Sequence, residues 1–82
     1  MEYISNISEK QMLNLHKNIS AKVKAKRLEK GRTQLDLALS IGMKSASFLG
    51  NVENDCKNAK HYSIEHLYKI AKELECDIRD FL

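Results

Sequence analysis

Met12, Leu15, Ile19, Val23 and Leu28 recur at intervals of three to five residues, the spacing of one stripe along a helix. Ahead of them, Ser8-Glu9-Lys10-Gln11 has the form of a capping box. Its serine oxygen can accept a free backbone N–H while the glutamine reaches back. Gly31 stops the pattern, and Lys30 stands in the last turn, where a cation suits the helix dipole. The pattern fits a helix unbroken from about Glu9 to Lys30. It equally fits one that bends or restarts between Asn14 and Asn18, where helix formers are weak. Ile4 and Ile7 precede the box, placed to pack on the domain or on a partner.

Thr33-Gln34-Leu35-Asp36 is a second start signal, a threonine with an acid three residues on. Leu37, Ala38 and Ile41 follow as a short stripe, and Gly42 ends it. Ser45 is the next N-cap candidate, with Leu49 and Val52 at helical spacing and Phe48 beside them. Asn54 and Asp55 make the stop. Cys56 to Tyr62 lacks periodicity and reads as loop. Ser63 opens a fourth helix with Ile64, Leu67, Ile70, Ala71 and Leu74 on its apolar side. Asp77 caps a last short helix carrying Ile78, Phe81 and Leu82.

Composition agrees with helices. Proline is absent, and the three glycines all fall in the middle third of the 82 residues. A single domain of this size has a thin core, to which a second subunit would add burial. The formal net charge is +3, unevenly spread. Met1 to Arg32 carries an excess of five positive charges, and Thr33 to Leu82 an excess of two negative ones. The basic part suits phosphates, though a solvated helix face accounts for it equally well. No apolar run is long enough for a bilayer, and the N-terminus lacks a signal-peptide layout, so a cytoplasmic protein is expected. Cys56 and Cys76 are then expected to be free thiols.

The two middle helices, Gln34 to Ile41 and Ser45 to Asn54, are joined at a glycine. A major groove admits one helix, and a short helix can be presented end-on when another braces it through a tight turn. Ala38 is small enough for the crossing, Gly42 can turn sharply, and Leu37, Ile41, Leu49 and Val52 supply inner anchors. These residues resemble a known family. Thr33-Gln34-x-x-Leu37-Ala38-x-x-Ile41-Gly42, then Ser45-x-x-x-Leu49-x-x-Val52-Glu53-Asn54, is similar to the lambda repressor/Cro-like (XRE) helix-turn-helix domains. Leu67 to Leu74 resembles that family's fourth helix, and Ile19 to Gly31 its first.

The resemblance implies an all-α, five-helix lambda-repressor-like DNA-binding domain over residues 17–82, with residues 1–16 as an arm or an extension of the first helix. It implies a transcriptional regulator acting as a homodimer on a two-fold DNA site. By position, Gln34 would bond a phosphate, with Thr33, Lys44 and Ser45 beside it and Lys57 and Lys60 in the following loop. Ala46, Ser47 and Asn51 would meet bases, while the Glu53 position is structural. Leu74, Ile78, Phe81 and Leu82 are the expected dimer surface, with Ile4 and Ile7 as the alternative. The chain departs from the family in a turn one residue longer, in Gly50 within the reading helix, and in Asp55 where relatives carry glycine. Lys26 and Arg32 also stand where many relatives are apolar. The reading helix has no Arg or Gln for strong bidentate base contacts, so DNA shape would carry more of the discrimination.

Other chemistries fit less well. Cys56, His61, His66 and Cys76 match no compact zinc spacing. No nucleophile, base and orienting group stand together as catalysis requires, so no enzyme, metal or cofactor is expected. A second functional class remains: a protein-interaction module, such as an antitoxin or adaptor, that keeps the fold with weak or absent DNA binding. A toxin or other protein would then be its partner.

Overall fold

A computed structural model describes residues 8–54 and 60–82. Among them are four α-helices and a short 3₁₀ turn, and no strand: α1 (Glu9–Glu29), α2 (Gln34–Ser40), α3 (Ser47–Asn54), α4 (Ile64–Glu73) and the turn Ile78–Phe81. The expected fifth helix is therefore a single 3₁₀ turn. No described helix is long and apolar enough to cross a membrane.

Local signals set the starts. Ser8 and Gln11 form the capping box at α1, with Ser8 Oγ accepting from Gln11 N–H at 3.1 Å and Gln11 Oε1 from Ser8 N–H at 2.8 Å. Thr33 caps α2 through the Asp36 N–H at 3.0 Å. Three helix ends share one geometry. The residue after the C-cap is left-handed (Gly31, φ 69°; Gly42, φ 95°; Glu75, φ 56°). The next N–H then reaches back five residues: Arg32 to Arg27, Met43 to Ala38, Cys76 to Ala71. This is the Schellman arrangement, which satisfies carbonyls that the helix leaves open. Glycine takes that backbone freely; at Glu75 the packing of α4 and the turn hold a residue that pays a steric cost.

Of the two readings for α1, the unbroken helix is the one observed, so the segment before residue 17 is in part an extension of α1. Its inward face differs from the expected stripe. Ile19 and Val23 are buried, but Met12, Leu15 and Leu28 are exposed, and Ser20 and Arg27 are buried in their place, with Leu13 packed against the core. The core gathers Ile19 and Val23 with Leu37, Ala38, Ile41, Leu49, Val52, Tyr62, Leu67, Ile70, Ala71, Leu74 and Phe81. Ile64, expected on the apolar side of α4, is exposed. Leu74 and Phe81, expected at a dimer surface, are 0% and 1% exposed within one chain. They hold the C-terminal turn onto α1 and α4 and have no surface left to offer a partner. Ile78 is half-buried against the same core, and Leu82 is exposed.

Arg32 ties the α1–α2 connection to the end of α4. It pairs with Asp36, donates to Ser40 Oγ and the Glu73 carbonyl at 3.3 Å each, and lies 3.5 Å from the Glu73 carboxylate. Its guanidinium thus bridges two helices at the edge of the core, where bidentate and multiple donors count.

Two histidines make structural contacts. His16 of α1 stacks on His61 with ring centroids 4.0 Å apart. His66 Nδ1 accepts the Ser63 N–H at 3.0 Å, while Ser63 Oγ accepts the His66 N–H, so His66 completes the α4 capping box. Burial holds both imidazoles below their ordinary 6.5, helped at His16 by His61 and only partly offset at His66 by Glu65. The unfolded chain then binds more protons than the folded one as pH drops through 6.5, so stability falls on acidification. The urea midpoint is expected to drop between about pH 7.5 and about pH 5.5. A His16→Asn/His66→Asn variant should flatten that slope; an unchanged slope would assign it to other groups.

Candidate nucleic-acid interface

The turn after α2 decides where α3 begins. The Schellman turn ends at Met43, and residues 44–46 are bends before the helix starts at Ser47, one residue later than an N-cap at Ser45 would have given. Ser45 still serves an amide, since its Oγ accepts from Ser47 N–H at 3.3 Å. Lys44, Ser45 and Ala46 therefore form a ledge ahead of α3 rather than its first turn.

α3 is fixed from two sides. Leu49 and Val52 are buried in the core. Phe48 packs edge-on against Tyr62 and tilts against His66, with centroids 5.9 and 4.8 Å away. Toward α1, Ser20 Oγ donates to the Val52 carbonyl at 3.1 Å. Arg27 grips the Glu53 carboxylate with Nε and Nη2, each at 2.9 Å, and its Nη1 donates to the Arg32 carbonyl at 2.7 Å. Gln34 Nε2 adds a third bond to Glu53 at 3.0 Å. The Glu53 side chain is fully buried and that of Arg27 nearly so. One network therefore joins α1, the start of α2 and the end of α3. It is a two-pronged pair of the kind in which guanidinium and carboxylate match in shape.

The electrostatic result bears on function. Glu53 is the sole carboxylate of α3, and it points inward against a cation. The outward face is left with Ser47, Asn51 and Asn54, all exposed and uncharged, spaced four and three residues apart on one stripe. Gly50 lies beside that stripe; an added Cβ would sit 3.4 Å from Gln34 Oε1, an ordinary contact with the end of a flexible side chain. Packing therefore does not explain the glycine in this helix.

The structure describes every expected contact residue except Lys57. Thr33 is exposed but its hydroxyl caps α2. Gln34 is half-buried and already donates to Glu53, which leaves its second amide hydrogen for another acceptor. Lys44, Ser45 and Lys60 are exposed, Ala46 is half-buried, and Ser47 and Asn51 face outward. Lys57 lies outside the described residues, as do Asp55, Cys56, Ile4 and Ile7. Asn54, read from the sequence only as a stop, shares the stripe of Ser47 and Asn51. Its signal was the seven-residue spacing from Ser47. Arg27 was not singled out either. Its signal was its place four residues after Val23, on the inward face. Among the described residues no group of three or more His, Cys, Asp or Glu is arranged to hold a metal. Cys76 is a free, half-buried thiol raised above its ordinary value by burial and then by Asp80.

The sequence model of the HTH_3 helix-turn-helix family matches residues 23–81. No curated protein and no solved structure matches the chain.

Proposed function

This chain belongs to the HTH_3 helix-turn-helix family of XRE/Cro/C1 type, a non-enzymatic DNA-binding family, and from that premise we propose a sequence-reading transcriptional regulator that sets α3 into a major groove. The supporting observation is the outward stripe Ser47, Asn51 and Asn54, cleared of negative charge by the inward turn of Glu53. Asn51 and Asn54 each offer the acceptor and donor pair that suits adenine N6 and N7, and the Ser47 hydroxyl suits several base edges. Thr33, Gln34, Lys44, Ser45 and Lys60 would hold phosphates around it. The same reading has two copies on a two-fold site. With Leu74 and Phe81 committed to the core, Ile78 and Leu82 are what remains of the C-terminal surface for pairing.

Selection of bound duplexes from a random pool, followed by binding of two variants, tests the reading. Asn51→Ala should shift the preferred bases at one or two positions, each worth about 1–3 kcal/mol. Lys44→Ala should weaken all sequences alike and reduce the salt slope by about 1. Gln34→Ala is a poorer probe than the sequence suggests, because it also removes a bond to buried Glu53. Absence of salt-sensitive duplex binding by the parent chain would refute the proposal and favour a protein-interaction module.

A further inference from the structure

α1 begins well ahead of the family-matched region, which starts at Val23. The helix is organised by a seven-residue rhythm. Leu13, Ser20 and Arg27 form one row, and this row is a seam: Leu13 packs on the core, Ser20 bonds the Val52 carbonyl, and Arg27 holds Glu53. Lys10, Lys17 and Lys24 form the neighbouring row, each three residues before a seam residue. Three residues are about 300° of helical turn, so this row lies about 60° round from the seam. Ile19 and Val23, which point into the core, lie on the other side of the seam. The lysine row therefore flanks the α3 contact, away from the C-terminal turn.

The other lysines of α1 behave differently. Lys22 donates to the Leu82 carbonyl at 3.3 Å, and Lys26 pairs with Glu29 at 3.1 Å. Lys10, Lys17 and Lys24 are all exposed, and none is in an ion pair among the described residues. Their seven-residue spacing places them about 10.5 Å apart along the helix axis, a row of three cations that can lie against a duplex carrying one phosphate charge about every 1.7 Å of its axis. The row is also carried on a supported rod: Leu13 and the His16–His61 stack hold the N-terminal half of α1 to the body. Ordering of a loose arm on binding is thus avoided.

We infer that Lys10, Lys17 and Lys24 form a second, sequence-independent contact with the phosphate backbone of duplex DNA, extending the interface beyond the footprint of α3. This rests on the DNA-binding reading above. The test uses the full chain and a random-sequence duplex of about 30 base pairs over a series of KCl concentrations, with binding followed by anisotropy. Lys10→Ala/Lys17→Ala/Lys24→Ala should lower the magnitude of the salt slope by about 2–3, at about 0.9 for each phosphate that is no longer neutralised. Alanine maintains helix propensity at these exposed positions. The matching Lys→Arg triple should keep the parent slope. The bases preferred in duplex selection should be the same for all three proteins. A parent slope in the alanine triple, while Lys44→Ala still lowers it, overturns the second contact and leaves the α3 reading standing. Failure of the parent chain to bind duplex overturns both.

Discussion

Glu53→Ala is expected to destabilise the domain by about 3–5 kcal/mol, the range for breaking a buried ion pair from one side. The carboxylate is fully buried and accepts three hydrogen bonds, two from Arg27 and one from Gln34. Without it the Arg27 guanidinium stays in the interior with its Arg32 carbonyl bond but no counter-charge. Domains of this class have about 5–15 kcal/mol in all, and one of 82 residues belongs near the lower end, so a large share of the variant will be unfolded in urea-free buffer. Arg27→Met/Glu53→Leu should recover most of the loss, because an apolar pair of similar volume avoids desolvating charge. The losses of Arg27→Met alone and Glu53→Leu alone will then sum to far more than that of the double variant, as residues of one network do. Urea denaturation of the parent and these four variants measures this. A Glu53→Ala loss below about 1 kcal/mol would mean the pair is a solvated surface contact.

Phe81→Ala is expected to cost a similar amount, about 3–5 kcal/mol, by leaving a cavity where the C-terminal turn meets α1 and α4. Phe81 is among the largest fully buried side chains of the described residues. The decisive feature is concentration dependence. A core residue lowers the urea midpoint equally at low and high protein concentration, whereas an interface residue lowers it most where dimer would form. Leu82→Ala, at an exposed position, should change stability by less than about 0.5 kcal/mol in the monomer. If the Phe81→Ala loss grows with protein concentration, the C-terminal turn is an interface after all.

These two residues illustrate what can be read along the chain and what cannot. Glu53 lies in a Glu-Asn pair that suggested a structural role, but its partner is twenty-six residues away on another helix. Charge on an inward helical position means little until a counter-charge is found beside it. Phe81 was expected at a dimer surface with Leu74, Ile78 and Leu82, because an apolar stripe alone does not tell whether a partner or the chain's own core covers it. The site shows the same division. Ser47 and Asn51 were assigned to bases by the family resemblance alone. Asn54 stands seven residues from Ser47, a spacing legible along the chain, and the structure leaves it exposed on the same stripe while Val52 and Glu53 face inward.

The sequence by itself determined the helices and most of their ends. Ser8 with Gln11, Thr33, Ser63 and Asp77 start elements, and Gly31 and Gly42 close them. These signals are local: a capping bond or a left-handed residue satisfies its amides within three to five positions, so neighbours along the chain suffice. Only the tertiary structure decided the inward row of α1, which buries Ser20 and Arg27 and leaves Met12, Leu15 and Leu28 outside. It also set the delayed start of α3 at Ser47, the reduction of the fifth helix to a 3₁₀ turn, and the burial of Leu74 and Phe81. The reason is physical. Periodicity tells that a helix has two faces, but which polar groups can be buried depends on partners that other helices bring within hydrogen-bond distance.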